Sequence, residues 1–80
     1  MKTITCVILS TQKARTYEAL HSVLLPALSG QMQILPRHAE VFVLLGPGTI
    51  VLESLDGTRE SIPVENGESY IRNDMVKIFL

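Results

Sequence analysis

Eighty residues with 46% hydrophobic and 19% charged side chains describe one folded domain, residues 1–80, whose stability margin of about a few kcal/mol leaves room for help from a permanent partner. The formal net charge of −1, from seven Lys/Arg against eight Asp/Glu scattered between Lys2 and Lys77, argues against the clustered basic face of a nucleic-acid binder. Cys6 is the one cysteine, which excludes an intrachain disulfide and a multi-cysteine zinc site and fits a reducing compartment.

Turn signals recur at short intervals, at Ser29-Gly30, Pro36-Arg37, Gly46-Pro47-Gly48, Asp56-Gly57, Asn66-Gly67 and Asn73-Asp74. The runs between them are too short for ordinary helices, and the pattern predicts an all-β sandwich or barrel. Residues 2–9 alternate Thr3, Thr5 and Val7 with Ile4, Cys6 and Ile8, a period of two with one apolar face, and Cys6 reads as small core filler. Residues 13–19 are a more polar strand, although with Glu18-Ala19-Leu20-His21 they carry good helix formers. A further run at 22–25 ends at Pro26, which lacks a backbone donor.

Residues 41–45, Val-Phe-Val-Leu-Leu, are apolar on both faces, as a strand covered on both sides is; a buried helical turn has the same composition. Residues 49–55 and 59–65 flank Asp56-Gly57, which suits the primed turn of a tight hairpin. Pro63 inside the second arm predicts an edge strand or a bulge. Residues 69–72 and 75–80 form a last hairpin across Asn73-Asp74, with Val76, Ile78 and Leu80 on one face. No run has the layout of a signal peptide or a membrane span, and Lys77 interrupts the apolar end.

Chemistry-bearing patterns are sparse. Gly-Pro-Gly at 46–48 lacks the Lys-Ser/Thr of a phosphate loop, and proline removes a donor such a loop needs, so it reads as a turn. Neither His21 nor His38 has a second ligand at metal-binding spacing. His38 follows Pro36-Arg37 at a bend, where an imidazole can hydrogen-bond loop backbone and hold its shape. Ser10, Ser29 and Ser54 have no nucleophile-elbow context, and no carboxylate pair stands out beyond surface acids such as Glu60 and Glu65, which leaves no support for a small hydrolase. A compact β module with a loop-rich end works by surface contact.

The ordered series Leu25-Pro26, Ser29-Gly30, Ile34-Leu35-Pro36-Arg37-His38-Ala39, the apolar run at 41–45 and Gly46-Pro47-Gly48 resembles the N-terminal domain of the epsilon subunit of F-type ATP synthases, and the likeness covers nearly the whole chain. The resemblance implies a flattened β-sandwich or barrel of two five-stranded sheets, with one side on the gamma subunit and the loop end on the c-ring. It implies a non-catalytic central-stalk (rotor) subunit that couples proton or sodium flow to ATP synthesis, needs no cofactor or metal, and is not itself an enzyme. Its partners would be gamma and the c-ring, with no nucleic acid and no insertion into the membrane. It would lie peripherally on the inner face of the energy-transducing membrane, cytoplasmic if bacterial.

By the same resemblance Gly30, Gln31, Met32, Arg37 and His38 belong to the c-ring contact. Gln31 stands where the family often has an acid, so hydrogen bonding is kept and charge attraction lost. The glycines usual at Gln33 and Arg37 are absent, and Glu65-Asn66-Gly67 replaces a common Ser-Gly-Gly. The family's C-terminal two-helix hairpin is missing from the sequence, which implies a coupling part without that inhibitory arm if the length is natural. The competing reading is a free-standing β-sandwich binding module, a paralogue that shares the turn pattern without the rotor role.

Overall fold

Ile4, Cys6 and Ile8 are buried and their neighbours are half-exposed, as the alternation predicts, because they lie on β1 (Ile4–Leu9) with one face inward. The computed structural model describes residues 2–80. Burial also explains the chemistry of Cys6, whose thiol is pushed up to about 12 by loss of hydration, so it is an inert core side chain.

Residues 13–19 and 22–25 are not two runs but one strand, β2 (Ala14–Ala27). Two irregularities place extra residues in β2, one between its pairings with Ile4 and Cys6 of β1 and one at Leu20–Ser22 opposite β5 (Gly48–Ser54). Ala19 takes a φ of 57°, a left-handed conformation that costs a non-glycine residue roughly 1 kcal/mol. The bulges bend the strand, so that it pairs with β1 before the corner and with β5 after it.

Pro26 does not stop β2. It lies opposite Gln31 of β3 (Gly30–Ile34), while its carbonyl accepts a hydrogen bond from the Gly46 N–H at 2.9 Å on the other side of the strand. The N and C=O of one strand residue face the same edge, so the missing N–H of Pro26 points away from β3 and no bond of that ladder is lost.

The remaining strands are β4 (Val41–Leu45), β6 (Arg59–Val64), β7 (Gly67–Arg72) and β8 (Met75–Phe79). Among the described residues the secondary structure is all strand and turn. Instead of two separate five-stranded sheets, eight strands hydrogen-bond in one network ordered β1-β8-β7-β4-β2-β5-β6, with β3 added beside β2 and β1 also paired to β2. β2 is the reason: its first half pairs with β1, which leads on to β8, β7 and β4, its second half pairs with β5 and β3, and its last residue, Ala27, meets Leu45 of β4. The molecule is flattened, 32 × 25 × 18 Å, the thinnest dimension suiting two layers with side chains between them. Val23, Leu25, Ile50, Leu52, Ile71 and Ile78 fill that space.

Two hairpins show how turn chemistry plays out. Asn73 and Asp74 have φ of 52° and 60° between the paired Arg72 and Met75, the two-residue primed turn that both residue types tolerate. At Asp56-Gly57 the expected primed turn is not formed. Only Gly57 has positive φ, and Ser54 accepts from the Gly57 N–H at 3.0 Å while donating to the Thr58 carbonyl at 2.9 Å. This is a three-residue loop closed by a glycine bulge, favoured because Asp56 Oδ1 caps the Thr58 N–H at 2.9 Å. That backbone N–H, the largest influence on the group, lowers the Asp56 pKa. Pro63 sits on β6 opposite Thr49, and β6 ends the strand order, so the proline occupies the edge its sequence position predicts.

Candidate functional site

Residues 41–45 are covered on one face only. Val43 and Leu45 point into the core, but Phe42 and Leu44 are 55% and 51% exposed, which corrects the expectation of a strand covered on both sides within this domain. The registers of β4, β7, β8 and β1 arrange the outer face in rows. One row crosses Leu44, Glu68, Phe79 and Leu9; the next crosses Phe42, Tyr70, Lys77 and Val7; the third crosses Arg72, Met75 and Thr5. Phe42 and Tyr70 meet edge to face, 6.4 Å between ring centroids at 90°. The Tyr70 hydroxyl donates to Glu40 Oε2 at 2.9 Å, and Arg72 Nε lies 3.9 Å from Glu40 Oε1.

The Glu40 hydrogen bond, then its charge, raises the Tyr70 pKa. Beside this cluster is a hollow of about 330 Å³ lined by Tyr70, Arg72, Asn73, Met75 and Lys77. An exposed Leu or Met alone is ordinary, but three aromatic and two aliphatic side chains on one sheet, interrupted by Glu68, Lys77 and Arg72, have the make-up of a protein contact surface. Sequence reasoning registered the double-faced apolar run at 41–45 but not Tyr70, Met75 and Phe79. Their signal was present, since each lies one position from a core residue, Ile71, Val76 or Ile78, and therefore on the opposite face.

The residues assigned to a ring contact fall into two groups. Gly30, Gln31 and Met32 open β3 at the β2–β3 tip, where Leu28 is 66% exposed and Met32 packs half-buried on the core. The tip is tied down by the Leu28 N–H to the Leu44 carbonyl, 2.9 Å, and by Gly46 to Pro26. Arg37 and His38 lie beyond the other end of β3, whose length from Gly30 to Ile34 is about 13 Å at the strand rise. There Leu35 to His38 form a turn closed by the His38 N–H on the Leu35 carbonyl at 3.2 Å, with Arg37 at φ 69° in the position glycine prefers, a type II turn. The Arg37 N–H donates to Asp74 Oδ1 at 2.6 Å, bolting the bend to the β7–β8 turn. His38 Nδ1 donates to the Ala39 carbonyl at 2.8 Å, the backbone-holding role its position predicts. The structure does not bring the two groups together.

Gly-Pro-Gly at 46–48 is the β4–β5 corner. A Cβ on Gly46 would come 2.8 Å from Leu28 Cδ2, and one on Gly48 would come 2.6 Å from Pro26 Cβ, so both glycines let the corner lie against β2. Among the described residues no three His, Cys, Asp or Glu side chains are grouped to hold a metal, and no helix is long and apolar enough to cross a membrane.

Residues 3–80 match the sequence model of the ATP synthase Delta/Epsilon chain beta-sandwich domain. The chain belongs to that family. Curated relatives are named ATP synthase epsilon chains: that of Nitratiruptor is 44% identical over 46 residues, 58% of this chain and 36% of its own length. That of Polaromonas naphthalenivorans is 28% identical over 78 residues, 98% of this chain and 56% of its own length. The chain thus spans between about a third and just over half of the relatives it matches. Among solved structures, a chain of the Euglena gracilis mitochondrial ATP synthase, from a structure of its OSCP, F1 and c-ring parts, superposes with a TM-score of 0.90 at 16% identity, covering 99% of this chain and 51% of the other. A chain of the Tetrahymena thermophila mitochondrial ATP synthase central stalk and c-ring gives 0.78 at 9% identity, covering 99% and 65%. At these identities the structures establish the fold.

Proposed function

We propose that the chain is the β-sandwich part of a non-catalytic central-stalk subunit of an F-type ATP synthase, linking gamma to the c-ring and coupling ion flow to ATP synthesis. The observation that carries this reading is the apolar outer face of β4, β7 and β8, present in a member of this family, which suits a permanent protein partner; we assign it to gamma. The work done there is rigid contact. A sandwich whose every strand is hydrogen-bonded to a neighbour passes torque through its backbone and needs no reacting group.

The β2–β3 tip, with Gly30, Gln31 and Met32, is assigned to the ring. Arg37 and His38, also candidates for the ring contact, act by holding the bend at the far end of β3. Gln31 offers hydrogen bonds without a charge, so a ring contact there would depend little on salt. The subunit would lie peripherally on the inner side of the energy-transducing membrane, cytoplasmic in a bacterium.

The test is a tagged chain expressed in its own source and recovered from membranes, with proton- or sodium-driven ATP synthesis measured in vesicles with and without it. Recovery of gamma and c-ring subunits, and loss of coupled synthesis on depletion, is the expected result. Unchanged coupled synthesis in vesicles lacking the chain would overturn the rotor reading and leave a free-standing binding module.

A further inference from the structure

Among the described residues the strand network has two free edges, and they are built differently. β6 hydrogen-bonds to β5 alone and carries Arg59, Glu60 and Pro63, the charged and proline side chains that keep another strand from adding. β3 hydrogen-bonds to β2 alone and reads Gly30, Gln31, Met32, Gln33, Ile34, with neither a charge nor a proline.

The ladder fixes which backbone groups β3 leaves open. The Pro26 carbonyl faces Gly46, away from β3, and Leu28 likewise bonds Leu44 on that side. Leu25 and Ala27 therefore face β3 and bond with their partners Met32 and Gly30. It follows that the N–H and C=O of Gln31 and Gln33 point to the free edge. Among the described residues neither takes part in a turn, loop or side-chain hydrogen bond, and both are exposed. Met32, half-buried between them, packs against the core from the inner side.

This edge is complementary to itself. Two copies of β3 laid antiparallel about Met32 set Gln31 of each opposite Gln33 of the other, and the outward groups then close roughly four hydrogen bonds in two narrow pairs. The carboxamides meet on the outer face, and Met32 meets its counterpart on the inner face. The paired segment, Gly30 to Ile34, carries no charge, so no like charges are forced together, and a chain of formal charge −1 repels its copy only weakly.

We propose that two copies of this chain associate in solution by antiparallel pairing of their β3 edges, Gln31 opposite Gln33, to form one continuous sheet. Edges of this length bury far less than the ~800 Å² per partner of a stable complex, so the dissociation constant falls in the range of roughly 0.1–1 mM. The proposal does not rest on the rotor reading. Because the edge begins at the tip assigned to the ring, self-pairing and a ring contact would compete for Gln31.

The experiment is sedimentation equilibrium on the purified chain from about 20 µM to about 2 mM, read with amide chemical shifts over the same range. The weight-average mass should rise by roughly half, and the Gln31 and Gln33 amides should move while those of Ser61 and Ile62 on β6 stay fixed. Gln33→Pro removes an outward donor without breaking the β2 ladder and should hold the mass at the monomer value. The double variant Gln31→Lys/Gln33→Lys, which needs no change of backbone, should do the same by setting ammonium groups against each other, and Phe42→Gln on the apolar face should associate as the wild type does. A mass that stays monomeric to about 2 mM overturns the proposal. So does association that survives the edge variants and disappears with Phe42→Gln, which would put the contact on the outer face.

Discussion

The two outer faces of this sandwich are made from the same strand chemistry and end up with opposite surfaces. On β5 and β6 the outward positions are closed by the domain's own polar groups: the Ser22 hydroxyl donates to Glu53 Oε1 at 3.5 Å and Arg59 Nε lies 3.8 Å from Glu53 Oε2. These contacts are long and contribute little, yet they leave a solvated face. On β4, β7 and β8 the outward positions are Phe42, Leu44, Tyr70, Met75 and Phe79, which the domain does not cover. The difference teaches that the second face is kept apolar for something other than the stability of the lone domain. Hydrophobic side chains left in water add nothing to folding, whereas the same side chains against a partner do.

The sharpest way to break that comparison uses two neighbouring leucines. Leu45 is 2% exposed and Leu44 is 51% exposed on the same strand. Leu45→Ala should destabilise the isolated domain by about 2–5 kcal/mol through lost burial and the cavity left behind. Leu44→Ala should change it by no more than about 0.5 kcal/mol while weakening capture of gamma. Urea denaturation of both variants, with gamma binding of the second, reads the pair. Equal stability losses would mean that the outer face belongs to the domain's own fold.

A smaller effect is expected at the corner that joins the layers. Gly48→Ala places a methyl 2.6 Å from the rigid Pro26 ring and should cost about 1–3 kcal/mol, seen as a lower thermal midpoint, with binding at the apolar face unchanged in the variant that remains folded. The least effect concerns Tyr70. Its phenol donates to Glu40, and the folded-state pKa lies above the ordinary value near 10. The contribution of that hydrogen bond is therefore complete below pH 10 and lost as pH rises through the folded-state pKa. Ultraviolet titration should show Tyr70 ionising later than a free tyrosine, and Glu40→Gln should bring it back toward the ordinary value.

Much of the fold was legible. The alternation of residues 2–9 placed Ile4, Cys6 and Ile8 inside because side-chain direction in a strand follows from parity alone. Asn73-Asp74 was legible as a hairpin because both residues tolerate the left-handed conformation its turn requires. Asp56-Gly57 was legible as a turn but not as to type. Which carbonyl captures the Gly57 N–H depends on the register of β5 against β6, and that register is set by burial of Ile50, Leu52 and Val64.

Pro26 was misread for a related reason. Its missing donor faces the Gly46 side, where a single bond is given up, while the ladder to β3 keeps all of its own, and nothing local says which edge that is. Ala19 carried no sign of a bulge at all, since alanine has no preference for positive φ. Of the residues that the resemblance assigns to a ring contact, Gly30 to Met32 and Arg37 to His38 are close in sequence and held apart by an extended β3, where each residue adds about 3.3 Å.

By itself the sequence determined the all-β class, the core parity of the regular strands and the membership of the family, because these follow from local period, turn chemistry and an ordered motif, while β3 and the unbroken length of β2 had no such local sign. Only the tertiary structure decided which apolar face stays open and which edge stays unpaired. Exposure is a property of what packs alongside a strand, and a strand's own residues do not name its neighbours.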